Sequence, residues 1–231
     1  MTGTLDAVRS SSFTKLKRIA ALPTPEPIYK GRPLHDWMDD LRAGDFKIKE
    51  IARDALIAIG PPAIPALREA LTDFRTLNWA AFALANIGKE ALPVLLESLT
   101  NGPVLTRKEI AGTGVMQANA LLPFVEEIAP VLAECMRDEE ATVRLGAVNA
   151  LQSYWKRPNI VMPRLMDCLT DTNAGVRGSA VTVIQKFGRD ADPAISILVQ
   201  LARQDADAYV RTRAAESLRM LAPHRADAEG L

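Results

Sequence analysis

Four carboxylates recur at one position of a repeated stretch of sequence. Each stands four residues after the proline of a P-x-L tripeptide: Glu69, Glu97, Glu134 and Asp167. Carboxylates that recur in this way would form a negative stripe, and a negative stripe attracts a basic peptide or a basic protein surface. A solvated helix face is the competing interpretation, because exposed helix faces commonly carry charge.

Residue types that act as nucleophiles or bind metals are scarce. The chain has two histidines, His35 and His224, and two cysteines, Cys135 and Cys168. Neither histidine belongs to a pattern typical of a metal site or of a serine-histidine-aspartate set. Both cysteines stand five residues after a proline, where other copies of the stretch have alanine or serine, so we interpret them as buried structural thiols. We predict no catalytic residue, no metal site and no cofactor, and we lean against an enzymatic role.

Composition narrows the class of partner. The 231 residues include 28 basic and 28 acidic side chains, so the formal net charge is zero. A protein that follows a phosphate backbone normally carries a basic surplus. Aromatic residues are sparse, and leucine and alanine dominate the apolar side chains, which favours helix over sheet. Because we find neither a membrane-spanning run nor the core of a secretory signal, we expect a cytoplasmic protein.

A repeated pattern predicts a series of first helices. Arg144, Arg177 and Arg211 are 33 and 34 residues apart, and small or apolar residues follow each of them three, six and seven positions later. This spacing lines one helix face with small side chains, so that neighbouring helices can pack closely. Less regular copies open at Lys49, Leu77 and Arg107.

A second helix is predicted after each first helix. Its template, P-x-L-x-x-x-[LM]-x-[DN], places proline in the first turn, where the missing N–H costs little. Glycines eleven residues after an opening residue fit left-handed helix caps: Gly60, Gly88 and Gly188. The stretch 33–41 predicts an unpaired second helix that closes the N-terminal end.

The two templates together resemble the HEAT family, and in particular its phycobilisome-lyase (PBS lyase) HEAT-like repeats. The resemblance is carried by D-x-x-x-x-V-R before an alanine-rich first helix and by the proline-led second helix. It implies a right-handed, all-α solenoid with first helices on the convex side and second helices lining the concave side. The carboxylates of the opening paragraph would then form a concave acidic stripe. The basic opening residues are expected to contact loop acids such as Asp138, Asp171 and Asp205.

The repeats divide the chain into three segments. We expect residues 1–30 to be a flexible tail or docking arm that ends in a proline-rich linker. Residues 31–222 should form the solenoid, with about five to six repeats and the N-terminal capping helix. Residues 223–231 are expected to be a flexible tail.

Two neighbouring repeats depart from the template in the same place. The third has seven extra residues between its helices and the fourth has three. Insertions in repeat arrays often mark a binding edge, so we predict a partner-binding edge there. Its candidate residues are Leu122, Phe124, Trp155, Lys156 and Arg157. Alternatively, Phe124 and Trp155 only fill irregular packing.

These observations favour a non-enzymatic scaffold that mediates protein–protein interaction. The identity of its protein partner and its oligomeric state stay open, and a basic segment is one option for what the partner presents. The resemblance leaves two alternative functions open: a bilin lyase-type subunit acting with a partner chain, and, less favoured, a HEAT-like nucleic-acid-binding protein. Such nucleic-acid binders use a basic concave face, whereas this sequence predicts an acidic one.

Overall fold

The computed structural model describes residues 25–112, 116, 118–154 and 158–231. A short antiparallel hairpin, β1 (Ile28–Tyr29) and β2 (Arg32–Pro33), precedes a series of helices. In chain order the helices are α1 (Leu34–Ala43), α2 (Phe46–Ile59), α3 (Ile64–Ala70), α4 (Leu77–Ile87), α5 (Leu92–Asn101), α6 (Val104–Gly112), α7 (Val125–Cys135), α8 (Ala141–Leu151), α9 (Pro158–Cys168), α10 (Ala174–Ile184), α11 (Ile195–Gln204), α12 (Ala208–Leu221) and α13 (Pro223–Glu229).

The helices form two layers of an α-solenoid, as the sequence predicted. The even-numbered helices from α2 to α12 are the first helices, and each packs against the next one. The odd-numbered helices from α1 to α11 are the second helices, of which α5, α7 and α9 stack in turn. The opening helix α1 packs on α2 and closes the N-terminal end, with Trp37 buried.

Small residues make the close contact between first helices possible. Ala147, Ala180 and Ala214, predicted from the repeat spacing to line this face, are fully buried. Between α6 and α8 the approach is closer still. A Cβ atom on Gly146 would lie 2.8 Å from backbone atoms of Ala111 and Gly112. The seam between first helices therefore leaves no room for larger side chains.

The capping glycines differ from the expected left-handed caps. Gly60, Gly88 and Gly188 have positive φ angles of 73°, 90° and 56°, which favour glycine as predicted. Their ψ angles of −140°, −132° and −122° lie outside the left-handed helical region. The reason is that each glycine leads directly into a 3-10 turn: after Gly60, for example, Ala63 N donates to Gly60 O.

Both insertions extend a second helix at its N-terminal end, so at least part of each lies in a helix and not in the connecting turn as expected. Helix α7 begins five residues before Pro130, and α9 begins five residues before Pro163, so neither proline lies in the first turn. The added turn of α7 buries Ile128 and Ala129 completely. Burying one large aliphatic side chain stabilises by about 1.5–3 kcal/mol, which offsets the hydrogen bond that an interior proline removes.

The C-terminal segment is helical, contrary to the tail expected from the sequence. Pro223 opens α13, and Gly230 closes it in the left-handed conformation. Ala226 is fully buried, and Arg203 of α11 forms a 2.7 Å ion pair with Glu229. These contacts hold the segment against the last repeat. Of the helices in the described ranges, none has the length and apolarity that crossing a membrane requires.

Candidate functional site

Arginine clamps join successive inter-repeat loops on one edge of the solenoid. Arg144 donates from Nη1 to Asp138 O at 2.8 Å, across the loop that precedes its own helix. Its Nε and Nη2 donate to the two carboxylate oxygens of Asp171 in the following loop, at 2.7 and 2.8 Å. The same fork-to-carboxylate geometry joins Arg107 to Asp138 and Arg177 to Asp205.

Burial and charge explain why these clamps are structural. The side chain of Asp205 is only 4% exposed and that of Arg177 only 14%. The hydrogen bond from Arg177 holds the pKa of Asp205 below its ordinary value, against the opposing effect of burial. In each clamp a carboxylate already accepts the two parallel N–H groups of the guanidinium. These arginines therefore offer no free bidentate site to another anion.

The expected contact between opening residues and loop acids is found at these three positions and, through the backbone oxygen of Asp205, at Arg211, and it is wrong at Lys49. Lys49 donates to the backbone oxygen of Arg75 at 3.1 Å, because Arg75 itself binds the loop carboxylate of Asp73. Arg211 donates from Nη1 to Asp205 O and Ala206 O. Among the described residues it has no carboxylate partner.

The predicted acidic stripe is a ridge of both signs. Glu97 pairs with Arg68 of the preceding second helix at 2.7 Å. The ridge continues to α7 and α9, where Arg137, two residues after the end of α7, and Arg164 of α9 lie within 4 Å of Glu134 and Asp167. Within the described ranges Glu69 alone of the four carboxylates has no ion pair. We call this surface the second-helix ridge: Arg68, Glu69, Glu97, Glu134, Arg137, Arg164 and Asp167.

The arginines of the ridge were missed in the sequence, although they stand in the same template as the acids. All four carboxylates are exposed on successive second helices. Exposed ion pairs contribute about 0–1 kcal/mol each, so a partner can exchange them for its own charges at little cost. Because the ridge carries both charges, it is less suited to a purely basic partner than the four carboxylates alone suggested.

A buried hydrogen bond joins the segments that precede the two insertions. Tyr154 Oη donates to Met116 O at 2.6 Å, and this buried bond links the segment after α6 to the segment after α8. Leu122 is exposed, and Phe124 is partly buried against the core. Trp155, Lys156 and Arg157 lie outside the described residues. We call this surface the insertion edge: Leu122, Phe124 and the N-terminal ends of α7 and α9.

A pocket of about 370 Å³ opens beside the insertion edge. It lies between the N-terminal half of α9 and the segment that leads into α11, and prolines and methionines line most of its wall. Its lining residues are Pro158, Asn159, Met162, Pro163, Met166, Asp190 and Pro193. Sequence inspection missed this pocket; the signal was the recurrence of proline and methionine around the shorter insertion.

Comparison with known families fits this architecture. The HEAT repeats model matches residues 128–219, and the PBS lyase HEAT-like repeat model matches residues 77–101. The chain is a HEAT-repeat protein. No curated protein matches it.

Two of three similar solved structures, with TM-scores of 0.50 and 0.51, share the fold of this HEAT-repeat protein. An engineered protein is 21% identical and aligns over 81% of this chain and 96% of its own, with a TM-score of 0.50. A designed armadillo repeat protein in complex with the peptide (KR)4 is 17% identical over 81% of this chain and 99% of its own, with a TM-score of 0.51. The complex of CpcE and CpcF of phycocyanin lyase from Nostoc sp. PCC7120 matches at 18% identity over 80% and 96% of the two chains, with a TM-score of 0.33.

The cysteines of the HEAT-repeat protein are buried and free. Burial raises the pKa of both Cys135 and Cys168 to about 12, so the thiols are protonated at neutral pH. His35 is exposed and lies 2.8 Å from Glu26, which raises its pKa. In the described part of the chain, no group of three or more histidine, cysteine or acidic side chains could hold a metal ion.

Proposed function

We propose that this HEAT-repeat protein is a non-enzymatic scaffold that binds a protein partner along the insertion edge. The observation that carries the proposal is the apolar pocket beside that edge. The pocket is at the small end of the range for ligand sites, and its size suits one large apolar anchor side chain of a partner. The repeats without insertions complete the same fold without an equivalent of this edge.

The insertion edge includes residues that the structure describes and residues that we assign to it from the sequence. Leu122 and Phe124 flank the N-terminal end of α7, while Met162 and Met166 of α9 line the pocket. Methionine adapts its shape to a partner surface, which suits an interaction site. We include Trp155, Lys156 and Arg157 in the same edge because they directly precede Pro158 of the pocket wall in sequence.

The second-helix ridge is proposed as an additional contact surface. Its exposed ion pairs can open to receive charges from a partner, including a basic segment that would meet Glu69 first. The similarly folded designed armadillo repeat protein was solved with the peptide (KR)4. For the present chain, the support is the ridge's own exposed side chains.

Site-specific photo-crosslinking in an extract of the native host tests the proposal. A photo-reactive amino acid replaces Leu122 or Met166 at the edge, and Tyr209 on α12 serves as an exposed control position. The expected result is one protein that crosslinks from both edge positions and not from the control. The purified partner should then bind the Met166→Glu variant at least about tenfold more weakly than wild type. Equal crosslinking from all three positions would contradict the assignment of the edge.

A bilin lyase-type subunit is the alternative proposal. The match of residues 77–101 to the PBS lyase HEAT-like repeat is the observation that favours it. The test is to incubate the protein with a bilin and a phycobiliprotein acceptor, with and without a candidate partner chain. An acceptor that stays colourless in every mixture counts against this role.

A further inference from the structure

One flank of helix α2 is exposed at a position where the later first helices are covered. On α2 the residue directly before the opening position is Ile48, which is 41% exposed. Ile51, one turn further along the same flank, is 52% exposed. In the later first helices the residue equivalent to Ile48 is buried, with no more than 3% of its surface exposed. These equivalents are Thr76, Thr106, Val143, Val176 and Val210.

In the later repeats this flank packs on the preceding first helix. A Cβ atom on Gly178 of α10 would lie 3.8 Å from a methyl carbon of Val210 on α12. Gly146 of α8, which is equivalent to Ile51, abuts the backbone of α6. The element that covers this flank elsewhere is therefore a first helix from one repeat earlier. Among the described residues α2 has no such neighbour, and β1, which contacts α2, leaves both isoleucines exposed.

The order of the helices along the chain indicates which segment would cover the flank. Each later second helix, from α3 to α11, follows its own first helix in the chain. Helix α1 is also a second helix, but in the described part of the chain no first helix precedes it. Its first helix would therefore belong to residues 1–24, which lie outside the described residues.

The sequence upstream of α1 fits a first helix. Phe13, Leu16 and Ala20 stand at i, i+3 and i+7, which is the spacing of an apolar stripe on a helix. The serines at 10–12 can cap the start of this helix, and Pro23 follows its end. The small side chain of Ala20 also suits the close contact between first helices. The sequence therefore predicts a first helix over residues 13–22.

The connection to α1 starts at the end of α1 that this arrangement requires. Leu34 N donates to Pro27 O at 2.9 Å, and His35 N donates to a carboxylate oxygen of Glu26 at 2.7 Å. These bonds fix the connecting chain at the N-terminal end of α1. Leu22 is four residues before Glu26, which spans at most about 14 Å, and packed helices lie about 8–10 Å apart. A helix that ends at Leu22 can therefore reach the flank of α2.

We propose that residues 13–22 are the missing first helix and pack on the flank of α2. Helices α1 and α2 form a hairpin with a short connector, so the start of α1 lies beside the end of α2. The segment then ends beside the end of α2 and places Phe13 and Leu16 next to Ile48 and Ile51. This contact covers both isoleucines and continues the seam between first helices by one repeat.

The charges and the tether of the segment agree with this position. On a helix whose stripe is Phe13, Leu16 and Ala20, Lys15 and Arg18 face solvent and Lys17 lies at the rim. A short tether gives a segment a local concentration on the order of millimolar at its site. The chain's own segment therefore has an advantage over a second copy of the chain at this flank.

Hydrogen exchange of the full-length protein, read by mass spectrometry, tests the proposal. The amides of residues 17–22, which a helix over 13–22 would hydrogen-bond, should be protected in the wild type. Ile51→Glu should speed their exchange by about tenfold or more, because the docked helix would bury a carboxylate. Leu105→Glu is the matched control, since Leu105 is 51% exposed on α6, and it should leave the protection unchanged.

A second variant keeps the test independent of the fold of α2. Leu16→Glu changes the segment and not the helices of the solenoid, and it should remove the protection as Ile51→Glu does. It replaces Ile51→Glu if circular dichroism shows that the latter disturbs the fold.

Three outcomes would overturn the proposal. Fast exchange of residues 17–22 in the wild type means that the segment does not dock. Protection that persists in both variants comes from a contact other than the flank of α2. Protection that appears only at concentrations where sedimentation equilibrium shows a dimer assigns the flank to a second copy of the chain.

Discussion

The N-terminal repeats, α1–α6, and the C-terminal repeats, α7–α12, tie their loops together in different ways. In the C-terminal repeats, Arg144 and Arg177 clamp successive loops through buried carboxylates. In the N-terminal repeats, neutral hydroxyl groups hold the corresponding loops: one bonds across its own loop and the other reaches the preceding loop. Thr76 Oγ1 donates to Ala70 O at 2.8 Å, and Thr106 Oγ1 donates to Leu71 O at 2.9 Å. Arg107, at the boundary, belongs to the first clamp.

The two halves also expose different side chains at one position of the repeat. Three residues before each opening residue, the N-terminal repeats have Phe46, Phe74 and Val104, whereas the later repeats have alanine throughout. Alanine adds little apolar surface beside a clamp, whereas Phe46, Phe74 and Val104 are large exposed apolar side chains. The comparison indicates that the clamps serve mainly stability, while the large side chains at this position of the N-terminal repeats add exposed apolar surface that folding does not require.

Removing one clamp should have the largest effect on stability. Arg177→Ala leaves Asp205 buried without its cation and takes away bonds to two loops. We expect the free energy of unfolding to fall by about 2–4 kcal/mol, measured by urea denaturation. Arg68→Ala breaks an exposed pair on the second-helix ridge and should cost at most about 1 kcal/mol. Equal losses in the two variants would remove the distinction between clamp and ridge.

Overpacking the seam between first helices should rank second. Ala180 is fully buried between neighbouring first helices, and Ala180→Leu should lower the free energy of unfolding by about 1–3 kcal/mol. Ala58 lies exposed on α2, in the N-terminal half. Ala58→Leu is the matched control and should leave the melting temperature nearly unchanged. An unchanged melting temperature for Ala180→Leu would refute the assignment of this seam.

How far sequence alone predicts this molecule depends on whether a feature is periodic. Ala147, Ala180 and Ala214 repeat at one helix face, so their burial follows from spacing. The extended start of α7 was not predicted, because the burial of Ile128 competes with the local preference of Pro130 for a first turn. The pocket and the pairing of Arg68 with Glu97 depend on distances between separate repeats, which no single repeat encodes.

The hydroxyl hydrogen bonds of the N-terminal half should contribute less to the free energy of unfolding than an arginine clamp does. Thr106→Val keeps the shape of the side chain but leaves the buried carbonyl of Leu71 without this donor. We expect a loss of about 1–2 kcal/mol in chemical denaturation. Thr212→Val on α12 removes an exposed hydroxyl that bonds within its own helix, and it should be close to neutral. A neutral Thr106→Val variant would mean that the N-terminal loops are held by packing alone.

Low pH should distinguish the arginine clamps from the hydroxyl hydrogen bonds. The folded pKa of Asp205 is lowered by Arg177. The stabilisation it provides is therefore present above the unfolded pKa of about 4 and is lost as the pH falls towards the folded value. Asp205→Asn should be less stable than wild type at pH 7 and should approach it as the pH falls below about 4. Thr106→Val removes no charge and should lose a similar amount of stability at both pH values.

The smallest effect should come from building a clamp where the N-terminal half lacks one. Asp73 holds the template position of Asp138 and Asp171, but Arg75 binds it locally and lowers its pKa to about 2. Lysine at position 49 also lacks the planar fork that grips a carboxylate with two bonds. Arg75→Ala frees Asp73, and Lys49→Arg supplies the fork. The double variant should therefore be more stable than the sum of the two single effects predicts. A double-mutant cycle in urea should show a favourable coupling of about 0.5–1 kcal/mol, and additive effects would mean that the N-terminal loops are too far apart for a clamp.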